Sequence, residues 1–377
     1  MERTLNRLHR GTTKALPMKR LLDPGALRAL ARGCAVLGAG GGGDTYLTLL
    51  QALQATEDYG PVPLVDLDEL PDDSLIMPCG GIGAPTVSIE KLENGDEGER
   101  LREELEFLTG RRVAALMAGE IGGGNGVLPI AWAAGMGLPL VDADGMGRAF
   151  PEVPQVTMQL AGIPASPAVI TDERGNLIVF QTISSDWMER LERAAATEFG
   201  GAASSTEFSL TAAEARTATI HGSVSLAIRI GEAVTGAAGD PVAALIAEIG
   251  AFRLVTGKVS DVERQTRSGF VRGFVIIEGL DADAGRLLRL ELQNENLVAL
   301  ERGKVLASVP DLITVLDTET ADAISTERLR YGQRVTVIGF PCDAVWRTDR
   351  GIAATGPRMF GYDFDYVPVE ELAGATA

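Results

Sequence analysis

The stretch that most limits the fold is AGEIGGGNGVLPIAWAAGMGLPLVDADGMGRAFP, residues 118–151. Its run LPLV is apolar at consecutive positions instead of alternating, as a strand covered on both faces would be. The run ends at once in DADGMGR, which sets two carboxylates, Asp142 and Asp144, and one guanidinium, Arg148, at the carboxyl end of a strand. Open α/β sheets carry their ligand sites at that end. A second apolar run, residues 113–117, leads into EIGGGN, so Glu120 would stand beside the aspartates if the two strands are parallel neighbours. Doubly covered strands require helices on both faces of a sheet, and the expected class is α/β, with a three-layer α/β N-terminal domain.

Chain length and composition bound the rest. A chain of 377 residues is long enough for two or three domains. Its net charge of −18 contains no basic run, which argues against nucleic acid, whose phosphates need clustered Lys and Arg. No apolar run reaches the roughly 18 residues of a membrane span, so no membrane partner is expected. Cys34, Cys79 and Cys342 are widely spaced and odd in number; this is no disulfide framework and suits a reducing cytoplasm. Two histidines, His9 and His221, cannot build a histidine-rich zinc site.

In chain order, residues 1–20 read as an N-terminal arm without an apolar signal core. Residues 21–32 read as a helix capped by Asp23 with Pro24 in its first turn. Residues 34–37 are a strand candidate before a glycine loop, residues 38–43, and Asp44 caps a following helix. That order resembles a phosphate-binding turn, with Gly40, Gly41, Gly42 and Asp44 as the ligand loop, although the Lys-Ser/Thr of a P-loop is missing. Strands are expected at residues 63–67 and 74–77. Cys79 follows the second, and is either a pocket-facing thiol or a buried turn residue. A hairpin is expected at residues 169–181, a helix at 187–197, and one helix over 211–234 with His221 inside it. Short alternating runs from residue 258 onward describe a β-rich C-terminal domain, 258–377, after an α/β domain of 21–257.

The chemistry concentrates near the central stretch. Glu120, Asp142 and Asp144 are the catalytic candidates, acting as a base or together holding a divalent metal (Mg, Mn or Zn). Arg148 suits a substrate carboxylate or carbonyl; Asn125 and the amides of Gly122 and Gly123 suit a developing anion. Asn294 and Glu295 in LQNENL, and Arg358 in GPRMFGYD, are substrate-binding candidates from the second domain. The opposing reading makes the aspartates turn caps tied by Arg148, and makes Arg358 a surface ion pair. Glycine-rich turns on both sides of the helix at 127–136 are hard to explain by packing alone.

LGAGGGGD, GAPTV with a following Glu90, EIGGGN, DADGMGRAFPE, LQNENL, PDLI, LRYGQRVTV and GPRMFGYD together resemble the DUF917 family, also called S-methyl thiohydantoin desulfurase-like, over residues 21–371. The resemblance implies a cytoplasmic protein that removes a sulfur substituent from a thiohydantoin ring to give a hydantoin, acting on a small cyclic amide or thioamide. It also implies association with hydantoinase or oxoprolinase proteins. A non-catalytic or ATP-binding subunit of such a system is the competing reading, and a homo-oligomer is compatible with both.

Overall fold

The computed structural model describes residues 19–83, 87, 91–267 and 270–374, so residues 1–18 of the expected arm and residues 84–86 and 88–90, including most of GAPTV and Glu90, lie outside it. In the first part the strands are β1 (Arg20–Leu22), β2 (Val62–Val65), β3 (Leu75–Gly83), β4 (Val113–Ala118), β5 (Leu140–Asp144), β6 (Ala168–Thr171), β7 (Leu177–Phe180), β8 (Ala202–Thr206), β9 (Leu210–Thr211) and β10 (Ile220–His221). Among the described residues they form one mixed sheet, in the order β1-β2-β5-β4-β3-β8-β6-β7. Its centre is parallel: β2 with β5, β5 with β4, and β4 with β3. Every residue of β5 is buried, as expected of a strand covered on both faces. β3 is long enough to leave the parallel ladder at Cys79 and pair antiparallel with β8 from Gly80 to Gly83. The change of partner falls at the carboxyl end of β4.

Residues 34–37 are not a strand. They finish a helix, Pro24–Leu37, that begins at the Asp23 cap, whose carboxylate accepts the Ala26 N–H at 2.8 Å. The run is apolar throughout because the helix end is enclosed, by the helix Ser223–Thr235 on one side and by the second domain, where the Thr314 hydroxyl donates to the Val36 carbonyl at 2.8 Å. A short apolar run does not distinguish buried helix from buried strand. The glycine loop therefore joins two helices, and the strand–loop–helix order of a phosphate turn is absent.

The helix expected over residues 211–234 is broken. Ala212–Ala218 and Ser223–Thr235 are separate helices, parted by β10, which pairs antiparallel with β5. The first helix ends where Thr219 turns extended, and Gly222, at φ 75° in the left-handed region, starts the second. His221 is thus an exposed strand residue opposite Ala143, not a helical one.

Seven described strands make the second sheet, all antiparallel: β11 (Phe252–Arg267), β12 (Phe270–Gly279), β13 (Leu287–Gln293), β14 (Glu295–Glu301), β15 (Lys304–Ser308), β16 (Leu312–Asp317) and β17 (Arg334–Phe340), ordered β15-β14-β13-β12-β11-β17-β16. β11 starts at Phe252, so Gly257 lies inside its first strand. Leu312, Leu316, Ile338 and Phe340 pack into the core of the first part, and so does Trp346 from the segment after β17. Trp346 donates its indole N–H to the Met146 carbonyl at 2.7 Å and meets Phe150 edge-on at 5.1 Å. The chain thereby returns to DADGMGRAFP and locks the second domain beside the central stretch.

No helix among the described residues is long and apolar enough to cross a membrane.

Candidate active site

A cavity of about 260 Å³ opens where β3 passes from β4 to β8, lined by residues of both domains. Gly81, Glu120, Asn125 and Ser204 line it from the first, Asn294 and Glu295 from the second. Glu120 follows the end of β4, held in place by the preceding Gly119 N–H, which donates to the Cys79 carbonyl at 2.8 Å. The 3-10 turn Gly123–Gly126 then brings Asn125 back over it. Asn125 donates from Nδ2 to Glu120 Oε1 at 2.5 Å and accepts the Gly81 N–H on Oδ1 at 3.0 Å. The Phe150 N–H approaches the other Glu120 oxygen at 3.3 Å.

Across the same wall stands a second carboxyl. Gly81 and Ser204 are direct partners on β3 and β8, so their side-chain directions share one face. On Gly81 that face is the Asn125 face, and on Ser204 it carries a hydroxyl that donates to Glu93 at 2.8 Å. Glu93 and Glu120 therefore flank one surface of the cavity. Burial raises Glu120 to about 8, against the pull of Asn125 and the Phe150 N–H, with nearby Asp144 adding to the rise. Burial raises Glu93 to about 7, and the Ser204 hydroxyl only partly offsets it. Both exceed the ordinary carboxylate range, because the cavity replaces water with few donors.

The glycines have a packing role that the sequence did not disclose. The two loops interlock: the Gly124 N–H donates to Gly43 and the Asn125 N–H to Gly42, at 2.9 and 3.1 Å. Gly42, at φ 74°, would drive a Cβ into the Gly122 carbonyl. A Cβ on Gly41 would collide with the Glu295 carboxyl, which rests on the loop. Gly40 accepts the Thr326 N–H and Ala39 the Asn296 N–H, at 2.9 and 2.8 Å. The loop is thus a socket for the second domain, and close packing accounts for Gly122, Gly123 and Gly124, the glycines before the helix at 127–136. Asp44 caps its helix through the Tyr46 N–H at 2.7 Å and pairs with Arg328. Gly122 and Gly123 are buried within the interlock.

Asp142 does not join Glu120 and Asp144. Asp142 and Asp144 share one face of β5, but Asp142 is taken by Lys19 at 2.7 Å and by the Ser225 hydroxyl and N–H at 2.5 and 2.9 Å. Asp144 accepts three backbone N–H groups on one oxygen, from Ile121, Met146 and Gly147 at 2.8–2.9 Å. It lies under the loop, where burial raises it to about 6. Among the described residues no three His, Cys, Asp or Glu side chains are grouped to hold a metal ion, so the expected metal triad does not fit the fold. Asp142→Ala is expected to leave the Ser225 N–H unmet and cost ~1–3 kcal/mol of stability in urea titration, while turnover per folded molecule stays within about twofold. A large loss of turnover in the folded fraction would return Asp142 to the site.

Arg148 is fully buried and donates to the Ala149, Pro310 and Asp311 carbonyls at 2.9, 2.6 and 3.0 Å. It stacks over Phe150, 4.4 Å from the ring centre. It ties the domains together and sets a positive charge behind Glu120 and Glu295. Burial lowers it to about 10, which leaves it charged at neutral pH. Asn294, at φ 57°, turns the chain from β13 to β14 and accepts the Val271 N–H at 2.8 Å. Glu295 follows it, 2% exposed, with one oxygen unpartnered; burial and Glu120 push it well above the usual range. Arg358 is exposed and pairs with Asp363 and Asp365 at 3.0 and 2.8 Å, away from the cavity.

Cys79 is buried, and its thiol donates to the Met77 carbonyl at 3.4 Å. Burial drives its ionisation far upward, the opposite of an activated nucleophile. Cys79→Ser is expected to keep most turnover; complete loss with an unchanged circular dichroism spectrum would overturn this. Sequence reasoning missed Glu93, whose ENGDEGER context reads as a solvated face, and Asp311. Asp311 is fully buried and accepts from Cys342, Arg347, Tyr366 and Val369, at 2.7–3.2 Å. The PDLI motif was its only signal.

A crystal structure of a protein from Chromobacterium violaceum is similar over 93% of this chain and 100% of that one, with a TM-score of 0.79 and 24% identity, which speaks to the fold alone. No curated protein matches the chain. Residues 25–182 match the N-terminal and residues 183–369 the C-terminal domain model described as S-Me-THD-like. With both domain models matched in order along almost the whole chain, and with the two sheets they imply present, the chain belongs to the S-Me-THD-like family.

Proposed function

We propose that the cavity hydrolyses the exocyclic carbon–sulfur bond of a small cyclic thioamide derivative, S-methyl thiohydantoin, to give the hydantoin and methanethiol. The observation that carries this is Glu120: a buried carboxyl on a cavity wall, raised to about 8 and fixed by Asn125, hence an acid still holding its proton at neutral pH. Such a group donates to the ring nitrogen of the C=N bond as water adds to the carbon bearing sulfur. Glu93, raised to about 7 and partly ionised at neutral pH, takes the proton from the water. The tetrahedral adduct then re-forms the carbonyl and expels methanethiolate, which leaves as the thiol with the proton held by Glu93. Ring nitrogen keeps the proton from Glu120, and the hydroxyl of the adduct gives its own proton to the Glu120 carboxylate as the carbonyl re-forms, which restores the acid. Water plus the S-methyl ring thus balances hydantoin plus methanethiol.

The test is direct. Purified protein is incubated with S-methyl thiohydantoin, methanethiol is trapped with a thiol reagent, and the ring product is identified by mass spectrometry. The expected outcome is equal release of thiol and hydantoin, with one oxygen from labelled water in the ring. No thiol release above the uncatalysed rate would sink the proposal.

A further inference from the structure

We propose that the cavity selects a ring carrying a cationic substituent, an ammonium or guanidinium group, which seats on a carboxyl-lined wall at Glu207. This rests on the reading that the cavity binds a hydantoin-type ring and adds the class of side chain that ring carries.

The wall is acidic beyond what its own cations neutralise. Lys91 is consumed locally, by the Phe199 and Ala202 carbonyls at 2.6 and 2.8 Å and by Glu173 at 2.8 Å. Arg193 is engaged by Glu189, by the Pro151 carbonyl at 3.1 Å and by the Phe270 ring at 4.1 Å. Several carboxylates are also accounted for. Glu97 accepts the Asn94 and Gly95 N–H groups, and Asp172 the Arg174 and Asn176 N–H groups. Glu207 is different. It lines the cavity, and its neighbours are the Ser205 hydroxyl and the carboxyls of Glu192 and Glu189, none of them a cation. Glu192 stands behind it, fully buried and hydrogen-bonded carboxyl to carboxyl with Glu207.

A second observation points the same way from the other domain. Glu295 lines the same cavity, 2% exposed, with Oε2 unpartnered. Buried acceptors without donors are costly and are met by a proton or by a ligand that brings donors. An ammonium or guanidinium group brings three to five. A bare metal ion is the poorer fit, because no three ligating groups close on one point among the described residues. The net charge of −18 draws cations toward the protein as well. Burial keeps Glu192 and Glu207 raised, so an arriving cation displaces protons they hold, and binding releases protons to buffer.

Calorimetric titration of the full chain separates the alternatives, with four probes. These are a hydantoin with an aminobutyl side chain, its butyl isostere, its carboxypropyl analogue, and butylammonium without a ring. The aminobutyl compound is expected to bind ~10-fold or more tighter than the butyl one, with the carboxypropyl one weakest. Its enthalpy should vary with the ionisation enthalpy of the buffer, as proton release requires. Glu207→Gln should bring the two within about twofold and leave the butyl compound unchanged. Equal affinity for aminobutyl and butyl compounds overturns the inference and leaves the ring reading standing. A preference that survives Glu207→Gln overturns the seat at Glu207. Butylammonium binding with no hydantoin bound supports the cation seat and overturns the ring reading. No binding by any probe overturns both.

Discussion

Glu120→Gln is expected to reduce turnover by ~10²-fold or more and to leave the melting temperature at pH 9 equal to or above that of the wild type. The two effects share one cause. Gln keeps the shape and the oxygen that receives the Asn125 amide, but it has no acidic proton to give. In the wild type, burial moves the carboxyl from an ordinary 4.5 to about 8. Between those values the folded chain binds a proton that the unfolded chain has lost. The stabilising contribution of Glu120 is therefore complete below about pH 4.5, declines as pH rises, and is gone above about pH 8. Gln removes that decline, so the variant gains on the wild type as pH rises. The groups facing Glu120 are Asn125, the Phe150 N–H, Asp144, Arg148 and Glu295, and all remain. A variant that loses stability at pH 9 while turning over normally would mean that Glu120 is a structural carboxylate.

Arg148→Met is expected to cost ~3–5 kcal/mol of unfolding free energy, the range for removing one partner of a buried charge cluster. For a chain of this size that lowers the melting temperature by roughly 4–6 °C. Three backbone carbonyls from two domains lose their donor at once, and Met fills the volume over Phe150 without replacing any of them. The carboxyls of Glu120 and Glu295 also lose the charge that holds their ionisation down. Arg148→Lys should recover only part, because a single ammonium cannot reach all three carbonyls. The measurement is urea unfolding at pH 7, and a loss under ~1 kcal/mol by the Met variant would show that the domains are held together without it.

What the sequence disclosed and what it hid follow from the range of each interaction. The doubly buried strands were legible because consecutive apolar residues have few other uses, and β4 and β5 are parallel neighbours as EIGGGN and DADGMGR suggested. Glu120 and Asn125 were each read as candidates but in separate roles; five residues of glycine-rich turn bring the two together. Asp142 and Asp144 stand two apart on β5 and share one face. Nothing local said that this face meets Lys19 and the helix at Ser225 and leaves the cavity to Glu120. The glycine loop misled for the same reason. Its partners, Gly122 and Glu295, are far along the chain, and a loop open to a phosphate and a loop closed by another loop share one composition. Glu93 and Asp311 were hidden because an acidic residue near a turn is usually solvated. Their burial depends on β8 and on the segment after β17, which are also distant in sequence.

The measurement that bears most directly on Glu120 as the acid is the pH dependence of kcat/KM for S-methyl thiohydantoin with the wild-type chain, from pH 5 to pH 10. An acid that must hold its proton gives a falling limb centred near the ionisation of Glu120, about pH 8. Activity that stays level or climbs through pH 10 would contradict the account.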